Sequence, residues 1–308
     1  MFDCIRMSLL ALVALSSAAP CGAQSAPPEV SAAWAARYHR HDSMPSWIAT
    51  RLAVQLYSFR AEAEKDLDAA LQTLRGLGFT HVELYPVPGV SAPRMRAALR
   101  TAGLQAIGAH VPLDSLQNDL EKVIADAKIL GVSHMGVPWI KPRTSDPTLP
   151  LLRAEADAVI AIFHNVCELL RLAGIHLYLH NHGYEALGDG SQTQLDRILT
   201  SVDPRCLDLQ VDVFWAATAG MNPAQLIRRY GSRVWSVHLK DRRPGAMSPM
   251  PWTAEKRDSV ALGDGNLEMG TVLTAAREAH VQSLIIEDEL PDSISQVQRS
   301  LDYLRGFR

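Results

Sequence analysis

The stretch Leu77-Gly78-Phe79-Thr80-His81-Val82-Glu83-Leu84-Tyr85 decides the fold. A segment of helical period, Leu67 to Leu77, runs up to the glycine, and a strand-like run opens about two residues beyond it. The residue after a helix often takes a left-handed conformation that only glycine adopts without cost, which is why glycine closes the helix. The same junction recurs at Ala102-Gly103-Leu104, Leu130-Gly131-Val132 and Ala173-Gly174-Ile175, with variants at Asp203-Pro204, at Tyr230-Gly231 and near His280. Strands are expected from Gln105 to His110, Ser133 to Val137, His176 to His180, Leu207 to Asp212, Val234 to Leu239 and Ser283 to Glu287. With Leu52 to Tyr57 and Phe79 to Tyr85 they make eight.

Strands that alternate with helices pair in parallel, and eight such units predict a (β/α)8 TIM barrel over residues 52–308. A doubly wound open sheet is the alternative. It would carry a Gly-rich phosphate loop after its first strand, and Tyr57-Ser58-Phe59-Arg60 is not one. The later Leu262-Gly263-Asp264-Gly265-Asn266 reads as a turn. Ahead of the barrel, Arg6, the apolar run Met7 to Leu15 and small residues through Ala23 have the form of a cleaved secretory signal peptide over residues 1–23. Residues 24–51 are expected to be a linker with a short helix. Export to the periplasm or beyond follows as an expectation.

The 308 residues carry a net charge of −3, and a pI near 6.4 gives no pull toward nucleic acid. No stretch after the leader is long and apolar enough for a membrane span. Once the leader is gone, Cys167 and Cys206 remain, both in apolar surroundings. Two buried free thiols are expected rather than a bridge.

In a barrel of this kind the active site forms at the carboxyl ends of the strands. Those ends carry Glu83 and Tyr85, His110, Pro138-Trp139, His180-Asn181-His182, Asp212, His238 with Lys240, and Glu287 with Glu289. Residues two apart on a strand share a face, so Asp212, His238 and Glu287 are expected to converge near the axis together with His180. Two imidazoles and two carboxylates suit one divalent ion of the Mn, Zn, Co or Fe type. Without a cation such a cluster would repel or neutralise itself. The alternative is a set of hydrogen-bonded structural groups.

These motifs resemble the sugar phosphate isomerase/epimerase group of the xylose-isomerase-like barrels. The resemblance runs from about Leu52 to the end and rests on Gly78 to Tyr85, His180-Asn181-His182, Asp212-Val213-Phe214-Trp215, His238-Leu239-Lys240-Asp241 and Ile286-Glu287-Asp288-Glu289. It implies a divalent metal on groups ending strands five to eight, matched here by Asp212, His238 and Glu287. Relatives place Glu where this chain has His180. His180 is therefore the expected fourth ligand, with Glu185, five residues on, as its rival. The resemblance further implies an isomerase or epimerase that forms an enediolate by proton transfer beside a carbonyl. Glu287 is a catalytic carboxylate in that scheme, and Glu185, His182 or Lys240 supplies the second group. Lys240 could also act as a base of lowered pKa or stabilise an oxyanion.

Glu83, His110, Trp139 and Trp215 are expected to contact substrate. An exported member would meet an unphosphorylated sugar, and the two indoles would stack on its ring. Two other readings stand beside this one: a lyase or hydrolase of a 3-keto-glycoside on the same scaffold, and a non-catalytic sugar-binding barrel. The expected partner is a small carbohydrate, with no nucleic acid and no membrane. Assembly into a homo-oligomer is left open.

Overall fold

The computed structural model describes residues 44–141, 150–186, 192–246 and 258–308. The expected signal peptide and most of the expected linker lie outside the described residues. Within them, eight strands form a closed parallel barrel: β1 (Leu52–Gln55), β2 (His81–Leu84), β3 (Gln105–His110), β4 (His134–Val137), β5 (His176–His180), β6 (Leu207–Asp212), β7 (Val234–Leu239) and β8 (Ser283–Ile286). Each strand pairs with its chain neighbours, and β8 returns to β1 through Leu284 beside Leu52.

One main helix follows each strand: α1 (Leu67–Gly76), α2 (Ala92–Ala102), α3 (Leu120–Leu130), α4 (Arg153–Leu172), α5 (Gln194–Ser201), α6 (Pro223–Tyr230), α7 (Met269–Glu278) and α8 (Ser293–Gly306). The helices bury one face. On α4 this face is Ala156, Val159, Ile160, Phe163, Val166 and Leu170, the three- and four-residue spacing of an amphipathic helix. Full burial of each large apolar side chain contributes roughly 1.5–3 kcal/mol. The glycine junctions are present as expected, with Gly103 and Gly131 left-handed at φ +69° and +75°. After α7 the same slot is filled by His280 at φ +55°, an angle at which a non-glycine side chain is strained.

The barrel interior holds a set of buried polar side chains, among them Gln55, Glu83, Gln210, Ser236 and His238. Alternation turns Tyr178 of β5 inward, where it is fully buried. Gly136 of β4 makes room for it, because a Cβ there would overlap the tyrosine ring. Gly108 of β3 does the same for Trp235, whose ring would come within 2.8 Å of an added Cβ. Asp241 follows β7 and is fully buried. Its carboxylate accepts from the main-chain N–H groups of Gly263, Gly265 and Leu267 at 3.0, 3.2 and 3.1 Å. The glycine-rich stretch is therefore a clamped turn, as expected, and Gly265 is needed because a Cβ would strike Asp241.

The cysteines correct one expectation. Cys167 of α4 and Cys206, just before β6, form a disulfide with Cα atoms 5.6 Å apart. Their separation of 39 residues hid this. They become neighbours when β5 and β6 pair side by side and bring the end of α4 to the lead into β6.

Candidate metal centre and active site

Four strands deliver the expected ligand groups to one place. Asp212 ends β6 and is fully buried, as is His238 on β7; Glu287 follows β8 and is 8% exposed. One donor atom from each of these three lies within 4.8 Å of the others. His238 Nδ1 is 3.3 Å from Glu287 Oε2 and 3.9 Å from Asp212 Oδ2. His180 ends β5 with Nε2 3.9 Å from the same Asp212 oxygen. The four residues thus converge as the strand alternation implied.

The nitrogens are oriented from below. Gln210, two residues before Asp212 on β6, accepts through Oε1 from His180 Nδ1–H at 2.9 Å and from His110 Nε2–H at 3.2 Å. His180 Nε2 is therefore the nitrogen turned toward Asp212. His238 is held likewise, its Nε2–H donating to Glu83 Oε2 at 2.6 Å. Imidazoles that ligate metals are commonly fixed through their other nitrogen in this way.

Glu83 overturns its expected role in substrate contact. Its carboxylate has no exposure and receives four donors, from Tyr178 at 2.6 Å, Gln210 at 2.6 Å, Gln55 at 2.5 Å and His238. Inward alternation on β2 places it beneath the mouth, where no substrate reaches it. Although burial works to raise it, His110 and His238 hold Glu83 down at about 2.

The charges in the cluster are mutually dependent. Burial opposes an imidazolium at His238, yet Glu83 and Glu287 raise it to about 10. Burial pushes Asp212 up to about 6, Lys240 opposing and Glu287 adding to it. Glu287 is held well below its ordinary value by Lys240 and His238 against its own burial. His180 is kept neutral by burial and by the imidazoles around it. Among the four ligand residues, Asp212 Oδ2 is buried and accepts no hydrogen bond. A buried carboxylate oxygen without a donor costs stability, and here two nitrogens stand 3.9 Å away. This donor set fits a divalent ion of the N/O-preferring kind.

Lys240 corrects another expectation. It is 2% exposed, with Nζ 3.5 Å from Glu287 Oε2 and hydrogen-bonded to Glu289 Oε1. Burial works to lower it, but Glu289, Glu287 and Asp212 raise it. Lys240 is an ammonium, not a base of lowered pKa, and it lies 5.0 Å over the Phe214 ring and 5.6 Å over that of Trp215.

A cleft of roughly 350 Å³ opens over the cluster, lined by Tyr57, Tyr85, His110, Trp139, His182 and Trp215 beside His180, Glu287 and Glu289. His182 is kept neutral by burial and by Lys240, down at about 3, and its Nδ1 has no partner. Glu185 is not brought there. It is fully buried, and its Oε2 accepts from the His182 main-chain N–H at 2.9 Å. Glu185 therefore drops out as the rival of His180.

Residues 71–307 match the model of the xylose isomerase-like TIM barrel family. The chain belongs to that family. The solved structures similar to this xylose isomerase-like barrel include a sugar phosphate isomerase/epimerase from Parabacteroides distasonis, at TM-score 0.67 and 20% identity over 83% of this chain and 94% of that one. Another is the IOLI protein with a bound zinc atom, at TM-score 0.65 and 13% identity over 84% and 99%. Among curated proteins, an inosose dehydratase of Geobacillus kaustophilus is 24% identical over 194 residues, 57% of this chain and 62% of that protein. The chain thus spans less than two thirds of that relative's length.

Two supporting residues of this xylose isomerase-like barrel escaped the sequence reading, Gln55 and Gln210. Both sit on the inward face by simple alternation, and that was the signal available. Gln55 bonds its register partner Glu83 on the adjacent strand, whereas Gln210 also reaches His110 and Glu83 across the barrel.

Proposed function

We propose that this barrel is a metal-dependent lyase that removes the proton beside the carbonyl of a neutral keto-sugar or keto-cyclitol and expels the oxygen substituent at the β carbon. The observation that carries this reading is the one-sided placement of carboxylates. Glu287 and Glu289 enter the cleft from the β8 side, whereas His180, His182 and His110 line it elsewhere. A two-carboxylate epimerase needs a second carboxylate facing the first, and Glu185 is committed to the main chain. Similarity to inosose dehydratases supports elimination over the expected isomerase or epimerase outcome.

His180, Asp212, His238 and Glu287 would hold the divalent ion, which when bound polarises the carbonyl and makes the adjacent C–H more acidic. The chain's own groups then carry the protons. Glu287, held anionic, accepts the α proton. As the C–C double bond forms and the β C–O bond breaks, Lys240 Nζ gives a proton to the departing oxygen, which leaves as water or an alcohol. Glu287 and Lys240 stand 3.5 Å apart, so the proton on the carboxyl returns to the amine and no net charge is left. Trp139, 46% exposed, and Trp215 would stack on the ring at the rim. The Cys167–Cys206 bridge supports the export reading, since such bridges persist in oxidising compartments.

The test is a panel of keto-sugars, keto-glycosides and keto-cyclitols incubated with metal-loaded protein in D2O. The expected result is an unsaturated ketone with release of water or alcohol, and a fall of about 10²–10⁴ in rate for Lys240→Met. Deuterium at the α carbon with an intact or epimerised skeleton would restore the epimerase reading. Neither exchange nor product across the panel would leave a sugar-binding barrel.

A further inference from the structure

The opposite end of the barrel carries a second constellation that the proposed chemistry does not use. His134 opens β4, His176 opens β5 and Asp208 lies near the start of β6. These are amino ends, away from the mouth. His134 and His176 are direct register neighbours, and one donor atom from each of the three residues falls within 4.8 Å of the others. His176 Nδ1 stands 3.7 Å from Asp208 Oδ2.

We propose that His134, His176 and Asp208 form a second metal site, taking a borderline divalent ion such as Zn²⁺, Ni²⁺ or Co²⁺. Two imidazoles and one carboxylate with open positions for water are a donor set these ions accept. Ser133 Oγ engages His134 Nδ1 at 3.1 Å, which leaves Nε2 as the ligating nitrogen. The His134 ring is pinned face to face on Trp235, 4.4 Å between centroids and 9° between planes. One ligand is thus fixed in advance. His176 is the movable one: its side chain is 49% exposed against 16% for Asp208. Turning the exposed ring closes the donors to the roughly 3–3.5 Å spacing of atoms that share an ion. Arg233, whose charge also acts on Asp208, directs its N–H groups to the main-chain carbonyls of Leu199 and Leu207. His176 is therefore the side chain that stands within ion-pair distance of the Asp208 carboxylate.

A purely structural role would make the same residues an aromatic plug, since His134 also stacks on His176 at 5.4 Å. Metal stoichiometry separates the two. Full-length protein is dialysed against Co²⁺, and bound metal and visible absorption are measured for the parent, His176→Ala and Asp208→Asn. The expected result is a loss of one Co²⁺ per chain in each variant, with turnover at saturating metal within twofold of the parent. Unchanged stoichiometry in both variants overturns the site. If Asp208→Asn fails to fold, His176→Gln, at a half-exposed position, carries the same comparison. The result stands apart from the proposed lyase activity, because the reading is the difference in bound metal, whatever the mouth holds.

Discussion

Glu83 has no contact with the cleft, yet it accepts the Nε2–H of His238 and leaves Nδ1 facing Asp212 and Glu287. Replacing it by Gln keeps an acceptor for Tyr178 but removes the anion that sets the imidazole. We expect Glu83→Gln to weaken metal affinity by about 10–100-fold, as read by chelator competition, and to lower the melting temperature, because its amide NH2 would face the Gln55 and His238 donors. Glu185 makes the opposite kind of prediction. Burial raises it to about 8 from an ordinary 4.5, so ionising it in the folded state is unfavourable. Its destabilising effect is absent below about 4.5 and grows as pH rises toward 8. Glu185→Gln should therefore melt like the parent at pH 4.5–5 and above it at pH 8, by an amount on the order of 2–4 kcal/mol. The four converging residues were legible because period-2 alternation at a strand end needs no partner to be read. Glu83 was misread because three of its four partners come from β5, β6 and β7, which meet it only across the closed barrel.

At the scale of elements, four helix-to-strand junctions were visible in a single residue, the positive-φ glycine at 78, 103, 131 or 174, and the strand positions followed within a residue or two. His280 shows the limit, since nothing in a histidine announces φ +55°. The disulfide lay beyond reach for a different reason. It joins α4 to the lead into β6 and encloses β5 and α5, the segment that carries His180 and His182. A closed loop of this length restricts the unfolded chain by about 4 kcal/mol. We expect Cys206→Ser, or reduction of the parent, to lower the melting temperature by several degrees, with the first loss of hydrogen-exchange protection in β5 and α5.

Over the whole molecule, the two ends of the barrel divide the work: hydrogen-bonded polar groups and stacked rings fill the middle and the amino end, and the ionisable cluster lies beneath the open mouth. The His238 imidazolium between Glu83 and Glu287, and the Lys240 ammonium between Glu287 and Glu289, already offset part of the charge of the four carboxylates there. An ion entering the mouth cluster must displace the proton on His238, whose value is about 10. Uptake at pH 7.5 should therefore release about one proton per ion at that site, measurable in weakly buffered solution, and apparent affinity should rise about tenfold per pH unit up to about 9. Chelation should in turn leave the circular dichroism spectrum unchanged. With those two cations in place, the fold should form before any ion is bound, so that folding and metal uptake are separable events.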